Sequence, residues 1–136
     1  MVKITENVKR NVNIALTNIF AKTADKFGID IEETLDVVKS KWKFMRLKPR
    51  CGVGEQCIPD VAYMASHALE HNGLATWRIK VSREINESTP RYTVDKAVSA
   101  LRVVGKDIKD AKIAVLGLAY KRESFDTRNS PALSII

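Results

Sequence analysis

From residue 3 to residue 27, apolar positions recur at three- and four-residue steps. Ile4, Val8, Val12, Ala15, Leu16, Ile19, Phe20 and Phe27 form one stripe, as an amphipathic helix requires. Gly28 follows, where helices commonly end in a left-handed residue. Asp30 is placed to cap a second, short helix, with Glu33 three residues on as a capping box and Ile31, Leu35 and Val38 facing inward. Residues 41–58 are basic, then glycine-rich, and carry no helical period. A third helix is predicted over 59–71, on Val61, Met64, Ala65, Ala68 and Leu69, and Asn72-Gly73 ends it. A fourth begins near Ala75, with Trp77, Val81 and Ile85 at four-residue steps. Asn86-Glu87-Ser88-Thr89-Pro90 interrupts it, and the pattern resumes through Val94, Ala97, Val98, Leu101 and Val104. Either two helices meet here, or one long helix bends at Pro90. Gly105 closes the helical region.

Beyond it the pattern changes. Lys112-Ile113-Ala114-Val115-Leu116-Gly117-Leu118 is a short β-branched run after a charged turn, which predicts a buried strand. Residues 126–130 are polar, and Pro131 starts another helix. A lone strand and the start of a helix cannot bury each other. Residues 109–136 are therefore expected to be the opening βα unit of a further domain, after a mainly α, bundle-like domain over 1–108.

The composition fits a globular chain, with 45% apolar and 29% charged residues. No apolar run approaches the roughly 18 residues of a membrane helix, and the polar start MVKITENVKR has no apolar signal core. A soluble cytoplasmic protein with no membrane partner is the expectation. Two cysteines, Cys51 and Cys57, are too few for a disulfide framework and are not spaced as a zinc knuckle. The net charge of +7 is partly local, because Lys39, Lys41, Lys43, Arg46, Lys48 and Arg50 crowd one stretch. Such a run can hold phosphates, but a solvated surface is the commoner outcome. With only Trp42 and Phe44 interleaved, nucleic acid is not the expected partner.

Candidate chemistry concentrates in Gly52-Val53-Gly54-Glu55-Gln56-Cys57-Ile58-Pro59. Glycines let a backbone approach a ligand closely, and proline suits the first turn of a helix. A thiol at a helix N-terminus sits in positive potential, which favours a nucleophilic thiolate. A small buried cysteine before a helix is the plainer alternative. His67-Ala68-Leu69-Glu70-His71 matches H-x-x-E-H, which puts two imidazoles on one helix face. A third ligand is not evident, histidines are favoured near a helix C-terminus anyway, and no metal is expected. Gly52-Val53-Gly54 lacks the third glycine and the preceding strand of a dinucleotide fingerprint.

Four segments in order resemble the nucleotide-sugar 6-dehydrogenases, the UDP-glucose, GDP-mannose and UDP-N-acetylmannosamine dehydrogenase family. Lys3-Ile4-Thr5-Glu6-Asn7 with Val12-Asn13-Ile14-Ala15-Leu16 is similar to its central-domain helix. The segment from Gly52 to Pro59 resembles its G-x-G-G-x-C-[IF]-P catalytic loop. Ile85-Asn86 followed by Pro90 resembles its I-N…P stretch. Val115 to Lys121, with Asp126, Arg128, Ser130, Pro131 and Ala132, resembles its L-G-[LF]-[AS]-[FY]-K…D-x-R-x-S-P-[AS] segment.

The resemblance implies an N-terminal Rossmann domain for NAD, a helical middle domain that forms the dimer, and a C-terminal Rossmann-like domain for the nucleotide. This chain would hold the middle domain and the first βα unit of the last, an incomplete Rossmann-like domain. It would pair as a homodimer through the long helix, about 75–104. It would bind no NAD alone and turn over no substrate alone, whereas the complete enzyme would oxidise the C6 alcohol of a UDP-sugar to the acid with NAD. Cys57 would attack the aldehyde, forming a thiohemiacetal and then a thioester that water hydrolyses. Lys3 and Asn7 would stabilise oxyanions, and Asp60 would help position water. Gly52, Gly54, Lys121 and Arg128 would contact the substrate or arrange its nucleotide site. The chain departs from the family pattern at Glu55, a bulky anion where the family has a glycine, and at Asp60, one place off register. A non-catalytic helical interaction module, pairing with itself or with a full-length relative, is the alternative.

Overall fold

The computed structural model describes residues 1–54 and 56–136, so the departure at Glu55 lies outside the described residues. Four α-helices account for the regular structure: α1 (Val2–Phe27), α2 (Ile31–Val38), α3 (Cys57–His71) and α4 (Trp77–Val103). Short 3₁₀ turns follow at Ile108–Asp110 and Pro131–Ser134. The fold is mainly α, as the periodicity predicts.

The caps sit where the sequence puts them. Gly28 ends α1 at φ 67°, a left-handed conformation that costs glycine nothing. The Asp30 side chain accepts from the Glu32 and Glu33 backbone N–H groups, satisfying two donors at the start of α2. Leu35 is buried under α2, with Ile31 and Val38 half-buried beside it. The choice at Pro90 resolves to one continuous helix, with the proline inside α4. Hydroxyls of Thr89 and Thr93 donate back to the carbonyls of Ile85 and Thr89 around that turn.

α1 is the hub, packed against α2, α3 and α4. α1 and α4 run parallel, since Asn11 meets Arg83, Asn18 meets Asn86, and Asp25 meets Lys96. The surface between them is polar. Asn7, Asn11 and Asn18 of α1 and Arg83 and Asn86 of α4 are buried, alongside Ile14, Ala15 and Ile79. Of the apolar stripe of α1, Ala15 is buried and Ile4, Val8 and Val12 are half-buried, whereas its later part faces the opposite side, with Leu16 46%, Ile19 38%, Phe20 44% and Phe27 75% exposed. Trp77 and Val81 of α4 are likewise exposed.

Two expectations need correction. Residues 112–118 form no strand among the described residues, and Ile113, Val115, Leu116 and Leu118 are exposed. A strand exists only by pairing, and no described segment offers this one an edge. The third helix begins at Cys57 rather than Pro59. The proline occupies the helix's first turn, where its missing N–H has no carbonyl to reach.

Part of the basic run is paired with α2. Arg46 pairs with Glu32 at 3.0 Å and Asp36 at 2.8 Å, Lys39 pairs with Asp36 at 3.0 Å, and Lys48 lies 3.5 Å from Glu32. Glu32 and Asp36 thus brace three of the six cations of this stretch at the surface.

Candidate active site

Cys57 is the first residue of α3 and is exposed. The next residue, Ile58, is 3% exposed and anchors the start of the helix in the core, which turns Cys57 and Asp60 outward. α1 meets this helix start through Asn7, whose Nδ2 donates to the Cys57 carbonyl at 3.3 Å. That amide nitrogen carries a second hydrogen. Lys3 lies one turn earlier on the same face of α1, exposed. Lys3, Asn7, Cys57 and Asp60 thus belong to two helix starts joined by one hydrogen bond. Asp60 also occupies the first turn of α3, where a carboxylate favours the helix dipole whatever its chemistry.

The loop before Cys57 is held from α1 as well. The Arg50 backbone N–H donates to Asn18 Oδ1 at 2.9 Å. Asn18 Nδ2 donates in turn to Asn86 Oδ1 at 3.2 Å, and Asn86 Nδ2 donates to the Asn11 carbonyl and Oδ1, both at 3.1 Å.

Gly52 and Gly54 face the returning C-terminal arm. A Cβ on Gly54 would stand 2.7 Å from Tyr120 Cβ and 3.1 Å from Pro131 Cδ. One on Gly52, at φ +141°, would meet Pro131 and Pro90 at 3.2 and 3.3 Å. These glycines let two backbone segments close together, so they are packed against protein. The arm, with Ser130 buried, completes a cleft of about 540 Å³ whose lining includes Gly52, Asp60, Tyr63, Arg83, Pro90 and Ser130. Cys57, Lys3, Lys121 and Arg128 are not among its lining residues.

Inside that cleft the Glu87 carboxylate takes hydrogen bonds from Tyr63 Oη and Arg83 Nη2, each at 2.7 Å. Burial pushes Glu87 up, but those two donors outweigh it and hold the carboxyl below its ordinary value. The same bond to Glu87, with burial, raises the Tyr63 phenol. Lys121 is exposed and rests over its neighbour Tyr120, 5.6 Å from the ring centroid. Arg128 is turned onto Asp126, with Nε at 2.9 Å from Oδ1 and Nη2 at 2.6 Å from Oδ2. That guanidinium, with the Arg128 backbone N–H, brings Asp126 down to about 2. Sequence reasoning missed the Arg83, Asn11, Asn18 and Asn86 seam. Its signal was present, as Asn7, Asn11 and Asn18 share one face of α1. His67 and His71 are exposed on α3, and no group of three metal-ligating side chains occurs among the described residues.

Known proteins share this fold. A solved UDP-D-ManNAc dehydrogenase from Pyrococcus horikoshii superposes with a TM-score of 0.89 at 38% identity, over 99% of this chain and 32% of that one. Staphylococcus aureus Cap5O, a UDP-N-acetyl-mannosamine dehydrogenase, gives 0.79 at 30% identity, over 99% of this chain and 29% of that one. In sequence, the P. horikoshii UDP-N-acetyl-D-mannosamine dehydrogenase is 40% identical over 137 residues, covering 100% of this chain and 32% of the relative. The NDP-N-acetyl-D-galactosaminuronic acid dehydrogenase of Ralstonia nicotianae is 34% identical, covering 100% of this chain and 30% of the relative. The chain spans about a third of the length of these curated relatives. The profile of the UDP-glucose/GDP-mannose dehydrogenase family, central domain, matches residues 1–88, and the chain belongs to that family.

Proposed function

We propose that this chain supplies the central, thiol-bearing part of an NAD-dependent nucleotide-sugar 6-dehydrogenase, with a UDP-sugar such as UDP-N-acetylmannosamine as substrate. The observation that carries this reading is the hydrogen bond from Asn7 Nδ2 to the Cys57 carbonyl. It joins the two family motifs, fifty residues apart in sequence, at one exposed thiol. Residues 1–108 would be the helical domain, and residues 109–136 the opening of the nucleotide-sugar-binding domain, carrying Lys121 and Arg128.

In this reading Cys57 adds to the carbonyl carbon of the sugar aldehyde. The free Asn7 N–H and the Lys3 ammonium stabilise the oxyanion that forms, and Asp60 accepts a hydrogen bond from the hydrolytic water. NAD, as hydride acceptor, does not fit the residues present here. Gly52 and Gly54 are filled against Pro131, Pro90 and Tyr120, leaving no backbone cradle for a pyrophosphate. No step through the dinucleotide is assigned to this chain, and its binding would fall to other residues.

Replacing the matching third of the P. horikoshii dehydrogenase with these 136 residues tests the reading. NADH formation from UDP-N-acetylmannosamine is expected in the chimera and its loss in Cys57→Ala. Full activity in Cys57→Ala would overturn the thiol's role, and NADH from this chain alone would overturn the placement of NAD elsewhere. The exposed apolar side of α1 also supports pairing with a second copy. The same side favours the second reading, a non-catalytic module that pairs with a full-length relative. Native mass spectrometry of a mixture with such a relative decides it, since absence of any heterodimer removes that reading.

A further inference from the structure

We infer that Asn18 and Asn86 are positioning residues that clamp the thiol-bearing loop from the core, an assignment that rests on the proposed role of Cys57. The loop is gripped at both ends by one helix face. At the start, the Arg50 N–H donates to Asn18 Oδ1 at 2.9 Å. At the end, the Cys57 carbonyl accepts from Asn7 at 3.3 Å. Asn7 and Asn18 are eleven residues apart on α1, three helical turns, so they grip two separated points of the loop from the same side.

Asn18 cannot swing away, because its other end is fixed. Its Nδ2 donates to Asn86 Oδ1, and the Asn86 amide donates onward to Asn11. Both side chains are almost fully buried, Asn18 at 2% and Asn86 at 1% exposure. A buried amide is costly unless both its ends are satisfied. Here the satisfied partner outside the helix pair is the backbone of the loop. A mere α1–α4 contact would be met more cheaply by apolar side chains. These amides instead have donors and acceptors set at a fixed spacing, as a loop backbone demands. The geometry thus carries order from α4 through Asn86 and Asn18 to Arg50, and so to the segment that ends in the thiol.

The experiment uses the chain with Cys51→Ser, so that Cys57 is the one reporting thiol. Two readouts are taken: the rate of alkylation by iodoacetamide, and hydrogen exchange at the Arg50 amide. Asn18→Ala removes the acceptor of the Arg50 N–H, whereas Ser88→Ala removes a separate α1–α4 hydrogen bond, the one donated by Lys22. Exchange at Arg50 is expected to be faster by about three- to tenfold in Asn18→Ala, the factor one neutral hydrogen bond contributes to an opening equilibrium. The Cys57 alkylation rate is expected to change by at least threefold, on the order of that same factor. Ser88→Ala is expected to retain the parent exchange at Arg50. An unchanged alkylation rate in an Asn18→Ala protein that keeps its helical circular dichroism would overturn the clamp. So would equal losses in Asn18→Ala and Ser88→Ala, which mark a bulk structural role. A variant that loses its helix is replaced by Asn86→Ser, read in the same way. None of these readouts depends on turnover, so the clamp can fail while the chimera is active, and the reverse.

Discussion

Arg83 Nη1 donates to Asn11 Oδ1 at 3.2 Å in the buried seam between α1 and α4, and each of the two still carries an unmet donor. Arg83 Nε and Asn11 Nδ2 are both buried without an acceptor. A guanidinium at 5% exposure faces an amide that offers it only one oxygen. A carboxylate at position 11 would remove the orphaned NH₂ and give the guanidinium a second acceptor. Asn11→Asp is therefore expected to stabilise the chain by about 1 kcal/mol, the charge-assisted bonds outweighing the desolvation of one more buried carboxylate. Urea denaturation checks it, and a lower midpoint at neutral pH would refute it.

Gly54 gives the sharpest steric prediction. A methyl there meets Tyr120 Cβ at 2.7 Å and the Asn129 carbonyl at 3.3 Å, so the C-terminal arm must move. Gly54→Ala is expected to cost about 1–3 kcal/mol, in the range of overpacking. The freed arm should be cut faster by trypsin at Arg122 and Arg128. Unchanged proteolysis would mean that the arm is held by other contacts.

Helix positions and caps were legible because they are local. Gly28 and Asp30 mark helix ends by backbone and side-chain chemistry that needs no knowledge of the rest of the molecule. What periodicity could not supply is which side of α1 faces in. It locates the apolar face, at Leu16, Ile19 and Phe20, and burial of that face would have been the ordinary outcome. Here three asparagines face the core, because the inner neighbours are loop backbone and an arginine, which demand hydrogen bonds. The strand over 112–118 failed for the converse reason, since β structure is a property of a pair. Of the site, the contact of Asn7 with Cys57 links two family motifs, and Arg83–Glu87 is an i,i+4 pair on one helix, while the arrival of Tyr63 from α3 had no local signature.

Asp25 ties the end of α1 to α4 and gives an acid-sensitive contact. Both its oxygens accept from Lys96 Nζ, at 2.7 and 2.8 Å, and Tyr92 Oη donates to it as well. The Lys96 bond, then the Tyr92 bond, hold the carboxyl below its ordinary value of 3.8. A depressed folded value means that the stabilisation is present above pH 3.8 and is lost as pH falls through the folded value. The pair is substantially exposed, so the contribution stays below about 1 kcal/mol. Asp25→Asn is expected to lower the thermal midpoint near neutrality and to flatten its fall below pH 4 or so, about where the carboxylate titrates. An acid limb identical to that of the parent would exclude Asp25 as its source.

The outward face of α1 predicts where a second copy binds. Leu16, Ile19, Phe20 and Phe27 share one side of the helix and are all exposed, an apolar run that a monomer would leave in water. α4, the longer helix expected to pair, shows a shorter apolar run, with Trp77 and Val81 near its start. If α1 is the pairing face, the 15.2 kDa chain should sediment at twice its mass and Phe20→Asp should sediment as a monomer. Phe20 is 44% exposed, and helical circular dichroism of the variant is read alongside its mass. Trp77→Asp on α4 should leave the dimer intact. A dimer that survives Phe20→Asp but dissociates in Trp77→Asp would move the interface to α4.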